Sequence, residues 1–317
     1  MKKKIYKLLI YIVLYNIGVS LPLLAGGNYF MVTDVGTSAK MIRLGNMEGF
    51  SECANTVFEN PASIYQTKSF STSAFTTNFM NEVEYINGAA TLRLPLGVIG
   101  AGYMSAGVND IPKTTETVYA DYGNGNVDSE FQQIGSFSYS NTIGKVIYQI
   151  SQNENLHFGL GATYYQTQLD TYQGKGINFD AGLVMNAEPL SLSVSLKNIS
   201  KNLKINYNNS ESETLPMYST YTARYRLWDL NCYGQIKTIG ENKESLKAFG
   251  IEYIPSLLPF ISLAGGYKEY LVIREVKYNV TLGLGLKIFG LHLDYAYEQS
   301  EHYEFNHKHY FSVGLTY

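Results

Sequence analysis

What most constrains this chain is a period of two. In "LSLSVSLKNIS", residues 190 to 200, Leu190, Leu192, Val194 and Leu196 fall on one side of an extended chain, and Ser191, Ser193, Ser195 and Lys197 fall on the other. Side chains of a strand point alternately to its two faces, so the stretch reads as a β-strand lying between two different media. The pattern recurs. "GINFDAGLVMN" sets Ile177, Phe179, Ala181, Leu183 and Met185 against Asn178, Asp180, Gly182, Val184 and Asn186. "LHFGLGATYY", "TLGLGLKI" and "LHLDYAYE" repeat it with Leu156, Leu282 and Leu291 opening the apolar faces. A soluble sandwich pairs core with water, and a membrane barrel pairs lipid with lumen; both produce this alternation.

The amino terminus narrows the choice. "MKKKIYKLLIYIVLYNIGVSLPLLAGG" has a basic start at Lys2, Lys3 and Lys4, an apolar run from Leu8 to about Ile17, and small residues from Ala25 to Gly27. That is the layout of a secretory signal peptide over residues 1–26, and the interruptions at Asn16 and Pro22 leave it short of the roughly 20 apolar residues of a spanning helix. No Cys follows closely enough for lipid attachment. No later segment approaches a transmembrane helix, so a membrane location requires a barrel. The chain is rich in Tyr (28), Phe (15) and Gly (29) with only 16% charged residues, and its net charge of −3 comes without the basic clusters a nucleic-acid partner needs. Cys53 and Cys232 lie far apart, and their pairing stays open.

Alternation and turn chemistry predict strands near 68–78, 82–94, 96–108, 129–139, 143–151, 155–169, 176–187, 189–199, 217–227, 229–240, 245–254, 259–271, 276–288, 289–299 and 307–317. The least regular is 143–151, and omitting it leaves fourteen, an even number as single-chain bacterial barrels require. Gly290, Pro189 and Pro95 mark tight turns, whereas 109–128 and 200–216 read as long polar loops. Short turns at one end and long loops at the other fit an outer-membrane barrel. Fourteen crossings of roughly 10 residues use about 140 of the positions after residue 66, leaving the rest for connections. Tyr164, Tyr165, Tyr221, Tyr225, Tyr267, Tyr270, Tyr295, Tyr297, Tyr303 and Tyr310 suit girdles at the two membrane interfaces. The chain closes on "HYFSVGLTY", with Phe311, Val313, Leu315 and Tyr317 on one face, which resembles the signal read by the outer-membrane barrel assembly machinery.

"GTSAKMIRLGNMEGFSECANTVFENPASIY", residues 36 to 65, resembles the amino-terminal signature of the FadL-like outer-membrane proteins, particularly their PorV/PorQ branch. The shared element is a small-residue and glycine stretch ahead of Asn60, Pro61 and Ala62, with Phe58 just before them. The resemblance continues through "FDAGLVMNAEPLSLSVSLKNIS", "LHLDYAY" and the closing strand, where His309 stands in the expected place. Met47 and Glu48 interrupt the usual run of small residues, and "SECANT" replaces the usual aspartates. The resemblance implies an all-β protein: a transmembrane antiparallel barrel of fourteen strands over 67–317, with residues 27–66 folded into the lumen as a plug, in the outer membrane of a diderm bacterium. Asn60, Pro61, Ala62 and Phe58 are the implied plug and ligand residues.

Catalysis finds no support. "EHYEFNHKHY" gathers His302, His307 and His309 with Glu301 and Glu304, but their spacing matches no metal pattern and a solvated loop explains them. There is no nucleophile elbow or phosphate loop, and no cofactor is expected. Two non-enzymatic roles remain. One is passive uptake of hydrophobic small molecules such as long-chain fatty acids, which enter from outside, occupy an apolar pocket by the plug and leave through the wall. The other is a PorV-like attachment or shuttle role with proteins of a type IX secretion system; a structural barrel is a third. Outer-membrane lipid is the expected surrounding in each.

Overall fold

The computed structural model describes residues 35–79, 83–121, 127–240, 244–272, 275–300 and 308–317. The predicted signal peptide, His302, His307 and Tyr303 lie outside the described residues. Strands β1 (Phe70–Phe79), β2 (Val83–Leu94), β3 (Gly97–Asp121), β4 (Val127–Asn153), β5 (Leu156–Leu169), β6 (Tyr172–Ala187) and β7 (Leu190–Lys197) run as an antiparallel meander. It resumes with β10 (Tyr218–Leu227), β11 (Leu230–Ile239), β12 (Glu244–Tyr253), β13 (Ile261–Val272), β14 (Glu275–Ile288), β15 (Leu291–Ser300) and β16 (Lys308–Thr316). Between them, β8 (Lys204–Tyr207) and β9 (Ser212–Thr214) form a small hairpin on the outer end of β6. The other fourteen strands close on themselves, because β1 pairs with β2 on one side and with β16 on the other, from Ser71↔Thr316 to Thr76↔Phe311. Closure leaves no unpaired sheet edge in the wall.

The seam is fastened where the chain enters and leaves. The Ser69 and Phe70 N–H groups donate to the Tyr317 carbonyl at 2.9 and 3.1 Å, and the Tyr317 N–H donates to the Phe70 carbonyl at 2.8 Å. At this end the connections are tight: Phe289 and Gly290, both at positive φ, turn β14 into β15. At the other end stand the β3–β4 extension and the long β7 to β10 connection.

Three expectations change. Residues 143–151 are a strand after all, the inner half of a 27-residue β4 that also takes in 129–139. The total of fourteen therefore holds by fusion of two candidates, not by omission of one. Residues 109–128, expected as a loop, instead extend β3 and β4 into a bulged hairpin, paired from Ile111↔Phe137 to Asp121↔Val127. The 200–216 connection likewise carries β8 and β9. Polar composition disguised both hairpins, since a ribbon wet on both faces shows no apolar alternation.

The two faces sort as the alternation demands. On β7 the serines are buried toward the interior while the leucines stay partly exposed on the outside. Leu282 and Leu284 of β14, Leu293 and Tyr295 of β15, and Phe311 and Val313 of β16 lie on the outer surface. Tyr165, Tyr270 and Tyr310 depart from the expected girdle, because their positions point inward; Tyr165 and Tyr310 are buried and Tyr270 lies beside the luminal Lys268. Tyr165 there donates to Asn198 Oδ1 at 2.6 Å.

Candidate functional site

Residues 35–67 lie inside the ring. Helix α1 (Ala39–Arg43) is capped by Ser38, whose hydroxyl accepts from the Met41 N–H at 3.1 Å. The 3-10 helices η1 (Ala54–Phe58) and η2 (Pro61–Gln66) follow. Asn60 is extended (φ −144°, ψ 120°) and caps η2, accepting from the Ala62 N–H at 2.9 Å, with Pro61 in the first helical position where its missing N–H costs nothing. The Asn-Pro-Ala tripeptide thus starts a helix two residues after Glu59, making the break between η1 and η2.

Its seat is built into the wall. Asn60 Nδ2 donates to Ser193 Oγ at 2.8 Å and to the Val194 carbonyl at 3.1 Å, and Ser195 Oγ donates to the Glu59 carbonyl at 3.0 Å. The serine face of "LSLSVSLK" is therefore a docking surface. Next to it, Gly159 and Gly182 are cross-strand partners on β5 and β6 and form a notch. A Cβ on Gly159 would collide with the Pro61 backbone, and one on Gly182 with the Asn60 side chain. A second notch, the cross-strand pair Gly250 and Gly266 on β12 and β13, takes the Leu44–Gly45 backbone in the same way. Phe58 lies over Gly102 of β3 and joins the interior apolar cluster.

Charges fix the rest. Arg43, 1% exposed, pairs with Glu252 of β12 at 2.9 Å and Asp294 of β15 at 3.3 Å. Glu48 reaches Lys197 of β7 at 2.7 Å and Lys237 of β11 at 3.5 Å. Glu52 bridges Lys40 at 3.0 Å and Lys287 of β14 at 2.7 Å. Burial by itself would push the Glu48 carboxyl up, but the Lys197 and Lys237 ammonium groups hold it below the ordinary range. The Lys40 ammonium, aided by Lys287 and against burial, holds Glu52 well below it. Glu59 is different. Fully buried, it accepts from Ser51 Oγ (2.6 Å), the Gly49 N–H (2.8 Å), Asn55 Nδ2 (3.1 Å) and Thr37 Oγ1 (3.2 Å), four donors drawn from the segment itself. Burial pushes its carboxyl up despite them. Glu59 is the internal hub of the segment, while Glu48, Glu52 and Arg43 are its ties to the wall.

The lumen has an ionic side and an apolar side. Met104 of β3, Ile143 of β4 and Tyr165 of β5 stand in register as one inward row, loop-side of Phe58. Ile205 of β8 and Leu215 belong to the same buried cluster. Two spaces beside the segment measure about 10 Å³, near Lys40, Cys53 and His292, and about 40 Å³, between Glu48, Lys237 and Lys268.

Asn60, Pro61, Ala62 and Phe58 are thus brought together, against β3 and β5 to β7. Phe311, Val313, Leu315 and Tyr317 lie on the outer face of the closing strand. His309 also faces outward and meets Tyr295 Oη at 2.7 Å; no metal-holding group occurs among the described residues. Cys53 and Cys232 are free, one on the luminal segment and one on the outer face of β11, and burial pushes the Cys53 thiol up to about 12. The notch glycines and the luminal ions escaped sequence reasoning. A signal for the glycines did exist: in "LHFGLGA" and "FDAGLV" a residue without a side chain occupies the polar, inward phase of a strand.

The fold defines a closed, fourteen-stranded antiparallel barrel of the outer-membrane kind, with an amino-terminal segment inside. Among solved structures the chain is similar to the Pseudomonas putida toluene transporter TodX, with a TM-score of 0.58 and 10% identity over 88% of this chain and 96% of that one. It is also similar to the CymD monoaromatic hydrocarbon channel (TM-score 0.57, 11% identity, 89% and 98% covered) and to a Pseudomonas aeruginosa FadL homologue (0.53, 10%, 88% and 96%). The closed antiparallel barrel fold is what these structures share with the chain. No family model and no curated protein matches it.

Proposed function

We propose that this protein is a non-enzymatic channel for hydrophobic small molecules in the outer membrane of a diderm bacterium, reached through the amino-terminal signal peptide. The observation that carries the reading is the inward row Met104, Ile143 and Tyr165. A water-filled pore needs polar lining, as the inward serines and threonines of β7 and β10 supply; an apolar row loop-side of the segment suits an apolar guest. Residues 27–66 act as the plug, with Phe58 and the Asn60–Ala62 turn below the row. Long-chain fatty acids are the finer candidate. Their chains match the row in apolar character, and Lys197 and Lys237, two ammonium groups against the one Glu48 carboxylate, offer a cationic neighbourhood elsewhere in the lumen. Monoaromatic hydrocarbons, named for TodX and CymD, are the neutral alternative. Release proceeds sideways through the wall, and Phe311, Val313, Leu315 and Tyr317 serve assembly.

Equilibrium binding of radiolabelled palmitate to the purified barrel, with toluene as competitor, tests this. Saturable binding is expected, weakened about tenfold or more, equivalent to roughly 1.4 kcal/mol, when Met104→Trp fills the row. Binding of neither ligand would overturn the reading.

One observation favours a second role. Among the described residues, beyond Gly107 and before Ser138 the β3–β4 ribbon pairs its backbone only with itself, and it exposes Val118, Tyr119, Phe131 and Ile134. Such a projecting ribbon suits a PorV/PorQ-like attachment protein that holds secretion-system partners at the surface.

A further inference from the structure

The outer wall is not evenly convex. Across the seven consecutive strands from β13 through β16 and β1 to β3 it sinks into a depression of about 960 Å³, centred on the seam. Its floor is made of small outward residues, Ala74 and Thr76 of β1 and Gly88 of β2. Its banks are large ones, Tyr103, Leu284 and Phe311, all of them well exposed. Thr76 Oγ1 donates to the Tyr85 carbonyl at 3.0 Å, so the hydroxyl is spent within the wall. The surface left is hydrocarbon. On its loop side stands one polar pair, the Tyr295 hydroxyl against His309.

We propose that this depression is a seat for an acyl chain of a diacyl bilayer lipid. Three physical points select that occupant. The depression lies on wall positions that face the membrane core, where water has no place, so it is filled by hydrocarbon. It is a trough between projecting rings, which admits a slender flexible chain and excludes a flat protein wall. Its volume sits at the upper end of the roughly 300–1,000 Å³ of small-molecule sites, and an apolar body with a polar pair at one end matches an amphiphile. The inference rests on the membrane reading of the outer face and is independent of any cargo in the lumen.

Native mass spectrometry of the full chain, extracted in mild detergent from phosphatidylethanolamine and phosphatidylglycerol membranes with and without added palmitate, tests it; gel-shift on heating confirms a closed barrel. At least one diacyl lipid should stay bound to the unaltered protein. Ala74→Trp should lower retention several-fold. Gly88→Leu, whose Cβ has ordinary space with its nearest neighbour at 3.7 Å, should do the same should the first variant fail to close. Gly234→Trp puts the same ring on open outer wall of β11, away from the depression, and should leave retention unchanged. Equal retention in the floor variants and the control would overturn the proposal. So would retention of free palmitate in place of diacyl lipid, which would make the trough a cargo station. Because the lipid assay and the luminal binding assay share no ligand site, either can fail without the other.

Discussion

At the scale of single residues, the wall is shaped to the segment it encloses. Gly159 and Gly182 carry no side chain because the Pro61–Ala62 backbone and the Asn60 side chain occupy that space, and Ser193 and Ser195 are short because their hydroxyls must reach the same turn. Alternation showed which way each of these residues faces. It did not show what they face, since a serine that binds backbone and a serine that meets water look alike in sequence. The two departures from the family pattern prove informative: Glu48, and Glu52 within "SECANT", are the segment's ionic ties to β7, β11 and β14. Gly182→Val is expected to unseat the Asn60 turn at a cost of about 1–3 kcal/mol, the usual penalty for overpacking. Limited proteolysis should then cut within residues 35–67 while the barrel still shifts on heating; a segment as resistant as before would refute the notch.

At the scale of elements, alternation undervalued 143–151 of β4, but the other strands with lipid on one side were legible, and the limits of β5, β7, β11, β14 and β15 follow the alternation closely. The β3–β4 extension and the β8–β9 hairpin were not, because both leave the membrane and lose the apolar phase. The segment's own elements are too short to declare themselves, five or six residues each, and depend on Glu59 and on the wall for their shape. Their hold depends on pH with a definite sign. Glu48 and Glu52 have folded values below the ordinary carboxylate value of about 4.3, so their contribution is complete above it and is lost as pH falls through the lowered values. Glu59, pushed up by burial, acts oppositely, since protonation relieves its penalty. Hydrogen exchange of the segment, corrected for intrinsic rates, should therefore show protection near pH 5 no lower than at neutral pH, with loss only below about pH 4. Loss above pH 5 would contradict the assignment of Glu48 and Glu52 as the ties.

At the scale of the whole molecule, closure turns a repetitive meander into an enclosure, and the segment makes that enclosure specific. The class of fold could be read from alternation. The pairing of Arg43 with Glu252 and Asp294, more than 200 residues away in sequence, could not, because no local pattern encodes which inward charge meets which. The division of the lumen into an ionic side and an apolar row is likewise a product of register around the ring. The account stands or falls on whether the segment fills the lumen. Ion conductance of the intact chain in a planar bilayer, compared with a variant lacking residues 35–66, measures this directly. The account predicts no sustained conducting steps from the intact chain and clear steps once the segment is removed; sustained porin-like steps from the intact chain would contradict it.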